Sequence, residues 1–235
     1  IFQGDIRIKK GRIDKIAPII TAQDGDQVVD LTGKHIFPGM IDDQVHFREP
    51  GLTHKARIAS EARAAVAGGV TSFMEMPNTV PNVFTQDLLE DKYNRASEVS
   101  LANYTFFMGT SNDNIDEVLK TNTRNVCGVK IFMGSSTGNL LVDNPLQLEK
   151  IFEGSELLIA THCEEESIIK RNKAALEAIK PILEPSDHPI IRNEEACFES
   201  SFKAIQLAKK FDARLHILHI STAKELQIGR ASCRE

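Results

Sequence analysis

The chain has 235 residues, 41% of them hydrophobic, enough to bury a sizeable core in one large domain with a smaller appendage. Its 28 Lys and Arg against 33 Asp and Glu give a formal net charge of −5 without any basic stripe, so nucleic acid is not an expected partner. No apolar stretch approaches the roughly 20 residues of a membrane span, and no signal peptide opens the chain. The cysteines Cys127, Cys163, Cys197 and Cys233 have neither metal-site nor disulfide spacing. A cytoplasmic protein with free thiols and no membrane contact is the expectation.

Residues 1–34 alternate apolar and polar, with turn signals at Lys10-Gly11 and Asp24-Gly25, and read as part of a small β-sandwich module. From His35 a strand–helix rhythm takes over and continues to residue 227. The first apolar run, Ile36-Phe37-Pro38-Gly39-Met40-Ile41, leads into Asp42-Asp43-Gln44-Val45-His46. Later runs end at Pro77-Asn78-Thr79, at Gly109, at Lys130, at His162 and at His219. Between them the periodicity predicts helices over 54–67, 86–98, 112–120, from Asp143-Asn144-Pro145 onward, 165–178 and 193–210, with another opening at Thr222. A Pro-rich insertion, 181–189, is placed to fold over the site.

Strand then helix, with polar residues at the carboxyl ends of strands, predicts an α/β protein built as a (β/α)₈ TIM barrel. Six strands are found where eight are expected, and a whole barrel takes about 250 residues. The chain also opens on Ile1, and its tail, 228–235, reads like a translated sequencing adapter and is set aside as non-native together with Cys233. A fragment cut at both ends is the expectation.

His46, His162 and His219 stand at the ends of three separate strands, where neutral imidazoles can converge on Zn²⁺. A single strand-end His is more often a hydrogen-bonded structural residue; three in register point to metal. His216, three residues before His219, is expected on the opposite face as a structural residue, and His35, His54 and His188 as surface or packing residues. Lys130 takes the matching place on a fourth strand. Burial beside cations favours its neutral amine, which can take up carbon dioxide as a carbamate able to bridge two metals; the alternative is a snorkelling Lys paired to a carboxylate. Arg48 and Asn78 make a natural carboxylate receptor, unless Arg48 is tied to Glu49 or another acid. Gly134-Ser135-Ser136-Thr137-Gly138 lacks P-loop spacing and reads as a loop at the barrel rim.

The run from Phe37-Pro38-Gly39-Met40-Ile41-Asp42 through His46-Phe47-Arg48-Glu49-Pro50-Gly51, with Met76-Pro77-Asn78-Thr79, resembles the dihydroorotases of the amidohydrolase superfamily. Gly128-Val129-Lys130, Thr161-His162-Cys163-Glu164 and Leu215-His216-Ile217-Leu218-His219 are similar to later segments of the family, in the same order. The resemblance is strongest to variants of Bacteroidetes-type bacteria carrying Asp42-Asp43-Gln44-Val45-His46 on the first strand. It implies zinc-dependent, reversible hydrolysis of dihydroorotate to N-carbamoyl-aspartate in pyrimidine biosynthesis. By the match, His46 binds one metal, His162 and His219 the other, and carboxylated Lys130 bridges them. Arg48 and Asn78 hold the substrate carboxylate, and an Asp on the eighth strand binds metal and moves the proton.

Two departures accompany the match. Gln44 stands where the family has the first His of His-x-His, making it a weaker candidate ligand and leaving one zinc or two open. The eighth-strand Asp lies beyond residue 235, so the chain by itself is expected to be inactive. The alternatives are an allantoinase or dihydropyrimidinase, whose substrates lack the ring carboxylate, and a non-catalytic scaffold for aspartate transcarbamoylase, which Gln44 favours. A homodimer is expected only by resemblance.

Overall fold

The structure, a computed structural model, describes residues 2–136 and 138–232, with side chains through residue 228. It divides into two compact units, Ile1–Pro38 and Gly39–Glu235. In the first, β1 (Asp5–Lys9) and β2 (Arg12–Ala17) pair antiparallel. Lys10 and Gly11 join them with φ of 52° and 73°, the left-handed pair that a two-residue hairpin loop demands. The turn at Asp24-Gly25 forms, but no strands flank it among the described residues. Instead Asp5 accepts from the Ile20 amide at 2.8 Å and Arg7 donates to the Thr21 carbonyl at 2.7 Å, so side chains rather than a ladder hold this stretch.

The second unit carries six strands: β3 (Met40–Val45), β4 (Val70–Glu75), β5 (Asn103–Gly109), β6 (Gly128–Phe132), β7 (Ile159–His162) and β8 (Leu215–Ile217). All are parallel and pair in chain order, as successive strand–helix–strand crossovers require. The helices between them are α1 (Ile58–Ala67), α2 (Gln86–Val99), α3 (Ile115–Leu119), α4 (Pro145–Gly154), α5 (Glu166–Glu177), the short α6 (His188–Ile191) and α7 (Glu194–Phe211), and α8 (Glu225–Ser232) follows β8. Phe73, Phe106, Val129, Ile131 and Ile159 from the strands pack against Ile58, Leu89, Ile151, Phe152 and Ala204 from the helices as the main core. The opposite sheet face holds a smaller cluster of Met76, Phe107, Ala160 and Leu218.

That second face is the inside of a curled sheet. β3 and β8 are its two edges, and a flat sheet would hold them roughly 24 Å apart, at about 4.8 Å per strand. Yet His216 on β8 lies with its Nε2 3.6 Å from Oδ2 of Asp43 on β3. The (β/α) barrel expectation is therefore met over six strands. The same contact corrects the placement of His216. It is in register with Ala160 and Lys130, so it faces the barrel interior with Lys130 rather than away from it.

Helix ends follow their caps. Thr85, Asn144 and Asn193 accept from Leu88, Leu146 and Ala196 at the starts of α2, α4 and α7, and Pro145 suits the first turn of α4. α1 starts at Ile58 instead of residue 54, because its cap is remote: the Glu49 carboxylate accepts from the Ile58 amide at 2.8 Å. α3 starts at Ile115 instead of residue 112, because Ser111, Asp113 and Asn114 bond among themselves. The tail 228–235 continues α8 as far as Ser232; Cys233 and the residues after it lie outside the described residues. No helix among the described residues is long and apolar enough to cross a membrane.

Candidate active site

Lys130 sits at the middle of β6, a strand buried at every position, and is 1% exposed. Its register partners on either side are Gly109 and Ala160. Burial pushes the amine down to about 7, only partly opposed by the nearby Cys163 thiol. The Nζ lies 4.5 Å from the Phe132 ring, and no carboxylate lies within ion-pairing reach among the described residues.

His46 follows β3. Its Nδ1 lies 2.7 Å from Oδ1 of Asn78, in the loop after β4. Burial lowers its pKa to about 4; the Asn78 bond opposes this, and the charges of Arg48, Lys130 and His219 reinforce it. The ring is therefore neutral at ordinary pH, donates from Nδ1 to Asn78, and keeps the Nε2 lone pair for another partner. Asn78 in turn has its oxygen occupied, so its amide N–H groups are what it can offer a ligand.

His162 and His219 meet directly, Nδ1 to Nε2 at 3.0 Å, with the rings edge to face. Two imidazole nitrogens sharing one tetrahedral zinc stand roughly 3.3 Å apart. On its far side, His162 places Nε2 2.7 Å from Oε2 of Glu164. A carboxylate accepts only, so Nε2 donates to Glu164 and Nδ1 is the nitrogen that faces His219. A carboxylate behind an imidazole is the usual support of a metal-binding His. Burial would raise the Glu164 carboxyl, but the bonds from His162 and Arg192 outweigh it and hold it down at about 2. His219 is lowered by burial, then by His162 and Lys130.

Strand alternation does not deliver these side chains as the spacing predicts. β3 ends at Val45, and Arg48 lies in the following loop with φ of 68°; His219 lies past β8 with φ of 36°. Both reach the site by a left-handed turn, and Arg48 is near enough for its charge to act on His46. Its expected rival partner, Glu49, caps α1 through one oxygen, and among the described residues no ion pair joins it to Arg48. The rim loops after β3 and β4 are docked: the Val80 amide donates to the Pro50 carbonyl at 3.1 Å, and a Cβ on Gly51 would lie 2.1 Å from the Val80 oxygen. Arg48 and Asn78 are thus carried on one joined rim.

Gln44, half-buried on β3, makes no side-chain hydrogen bond among the described residues; its backbone amide donates to Asp42 at 3.1 Å. Ser135, with φ of 45°, turns the loop after β6, and Thr137 lies outside the described residues. Among the described residues no three His, Cys, Asp or Glu side chains gather around one point. The donor set therefore falls into a paired His162–His219 side and a single His46 side, with Lys130 felt electrostatically by both.

Two pairs escape a reading by sequence. Glu164 and Arg192 are one, signalled only by an acid two residues beyond a strand-end His. Glu75 and Lys92 are the other: a fully buried ion pair at 2.7 Å, signalled by an acid inside an apolar run. Burial raises Glu75 and lowers Lys92, each against the pull of its partner. Glu75 also accepts from the Phe47 amide at 3.1 Å, which anchors the backbone between His46 and Arg48.

Comparisons agree with this architecture. L-hydantoinase (dihydropyrimidinase) from Arthrobacter aurescens shares the fold, with a TM-score of 0.91 at 24% identity over 98% of this chain and 52% of that one. A family model described as dihydro-orotase-like matches residues 33–179, more than half of the chain. The chain belongs to the dihydro-orotase-like family. It is 32% identical to a dihydroorotase of Carboxydothermus hydrogenoformans, covering 97% of this chain and 52% of that one. It is 31% identical to an allantoinase of Deinococcus radiodurans, covering 97% and 51%. The chain spans about half the length of the curated relatives it matches.

Proposed function

We propose that the whole protein is a zinc-dependent dihydroorotase that interconverts dihydroorotate and N-carbamoyl-aspartate in pyrimidine biosynthesis. The observation that carries this reading is Lys130: a buried amine with no carboxylate in ion-pairing reach among the described residues, on a strand between those that lead to a neutral His46 and to the His162–His219 pair. A deprotonated amine is the form that takes up carbon dioxide, and the resulting carbamate has the charge and the two oxygens to complete two ligand sets. The residues present fit the metal: imidazole nitrogens on three strand ends, with His46 held from behind by Asn78 and His162 by Glu164. His46 would hold one ion, with Gln44 as its weak companion, and His162 and His219 the other. When bound, zinc supplies Lewis acidity toward the ring carbonyl and lowers the pKa of water.

The chain's own residues then select the substrate. Arg48 offers a guanidinium fork and Asn78 its amide N–H groups, a pair suited to the ring carboxylate of dihydroorotate. Allantoin and dihydrouracil carry no such group and would leave Arg48 unanswered. The test is hydrolysis of dihydroorotate, allantoin and dihydrouracil by the zinc-supplied whole protein. Dihydroorotate turnover well above the other two is expected; preference for either of the others overturns the substrate. A second reading, a non-catalytic scaffold that binds aspartate transcarbamoylase, draws on Gln44 alone. Tight zinc binding without turnover of any of the three rings would favour it.

A further inference from the structure

Pro181 to Arg192 joins α5 to α7 and makes no strand. Its local order is dense. Lys180 donates to Asp187 at 2.9 Å, Asp187 accepts from the Glu184 amide at 2.7 Å, and Asn172 of α5 donates to the carbonyls of Ile190 and Ile191 at 3.3 and 3.2 Å. On the far side, Asn193 caps α7 at once, and the Glu165 amide donates to the Ala196 carbonyl at 2.8 Å. Arg192 is therefore gripped from both directions. Its guanidinium reaches Glu164: Nε donates to Oε1 at 2.6 Å, and a second N–H donates to Oε2. Glu164 is 5% exposed, and the oxygen taken by the second N–H is the one that accepts from His162.

We propose that Arg192 is a positioning residue that fixes the metal-binding face of His162 by holding Glu164 with both arms of its guanidinium. This rests on the metal reading of His162. A carboxylate gripped at both oxygens cannot rotate, so the acceptor for His162 Nε2–H stays in one place and the Nδ1 lone pair stays aimed toward His219. Without the fork, Glu164 is free to swing toward solvent and take the His162 bond with it. Through Arg192, the segment 181–192 thus sets the ligand geometry from behind.

The experiment is zinc affinity of the whole protein by chelator competition, read beside the visible absorption of the cobalt-substituted protein. Arg192→Gln is expected to weaken zinc about 10-fold or more and to change the cobalt spectrum. Arg192→Lys, which keeps the charge but grips one oxygen, falls between Arg192→Gln and the parent. Glu164→Gln weakens zinc as well, and the double variant is no worse than the poorer single one, because both act through one contact. Parent-like zinc affinity and spectrum in Arg192→Gln overturn the inference; should that variant not fold, parent-like behaviour of Arg192→Lys does so. A parent that binds no zinc overturns the metal reading itself, which is a separate result.

Discussion

A single amine decides the chemistry proposed for this site. Lys130→Ala in the whole protein should abolish dihydroorotate turnover, and added short-chain carboxylic acids should restore part of it by replacing the bridging anion. Steady-state kcat with and without propionate measures this; undiminished turnover in the variant removes Lys130 from the mechanism. Arg48→Ala should raise KM for dihydroorotate by roughly 10- to 100-fold, the scale of one charge-assisted recognition contact, with a smaller change in kcat. Unchanged kinetics would take the carboxylate away from Arg48. Which residues come together was partly legible in the sequence: the strand-end His162 and His219 meet, and His46 meets Asn78. How they reach the site was not. Arg48 and His219 arrive through left-handed turns that period-two alternation cannot show, and His216 faces inward although counting back from His219 turns it out.

Elements repeat that division. α2, α4 and α7 begin where their own Thr85, Asn144 and Asn193 predict. α1 begins late because Glu49, nine residues upstream at the start of the same loop, caps it, and no local pattern records that bond. The Glu164–Arg192 contact spans 28 residues and is equally silent in the sequence. Phe106, fully buried at the centre of β5, packs between sheet and helices; Phe106→Ala should cost about 3–5 kcal/mol, read by urea denaturation. A loss below about 1 kcal/mol would mean that the core closes over the gap.

The turn at Pro185–Asp187 gives a pH test at the same scale. The Glu184 amide and Lys180 hold the Asp187 carboxyl below its usual value. A lowered carboxyl stabilises the fold above its unfolded value of about 3.9 and loses that contribution as pH falls through its folded one. Local protease resistance at 181–192 should therefore fall in acid below about pH 4 in the parent, and Asp187→Asn should show the weakened state already at neutral pH. Equal cleavage of the two at pH 7 would count against the role of Asp187.

At the scale of the whole molecule, the curled sheet leaves β3 and β8 as edges among the described residues, with Met40 and Ile41 exposed on β3. Unpaired edges with apolar side chains recruit other strands. The 235-residue chain by itself is expected to self-associate in light scattering, and a monodisperse monomer would show that the edges are covered.

Strand order has a further consequence, in time rather than space. Because each strand pairs with the one made just before it, the sheet can grow by addition at a single edge while the polypeptide leaves the ribosome. The candidate ligand positions are spread along that growth, from His46 after β3 to His219 after β8. His162 has no partner imidazole until the stretch after β8 has been synthesised. Whatever the two imidazoles hold together is thus admitted only after the strands from β3 to β8 have been made.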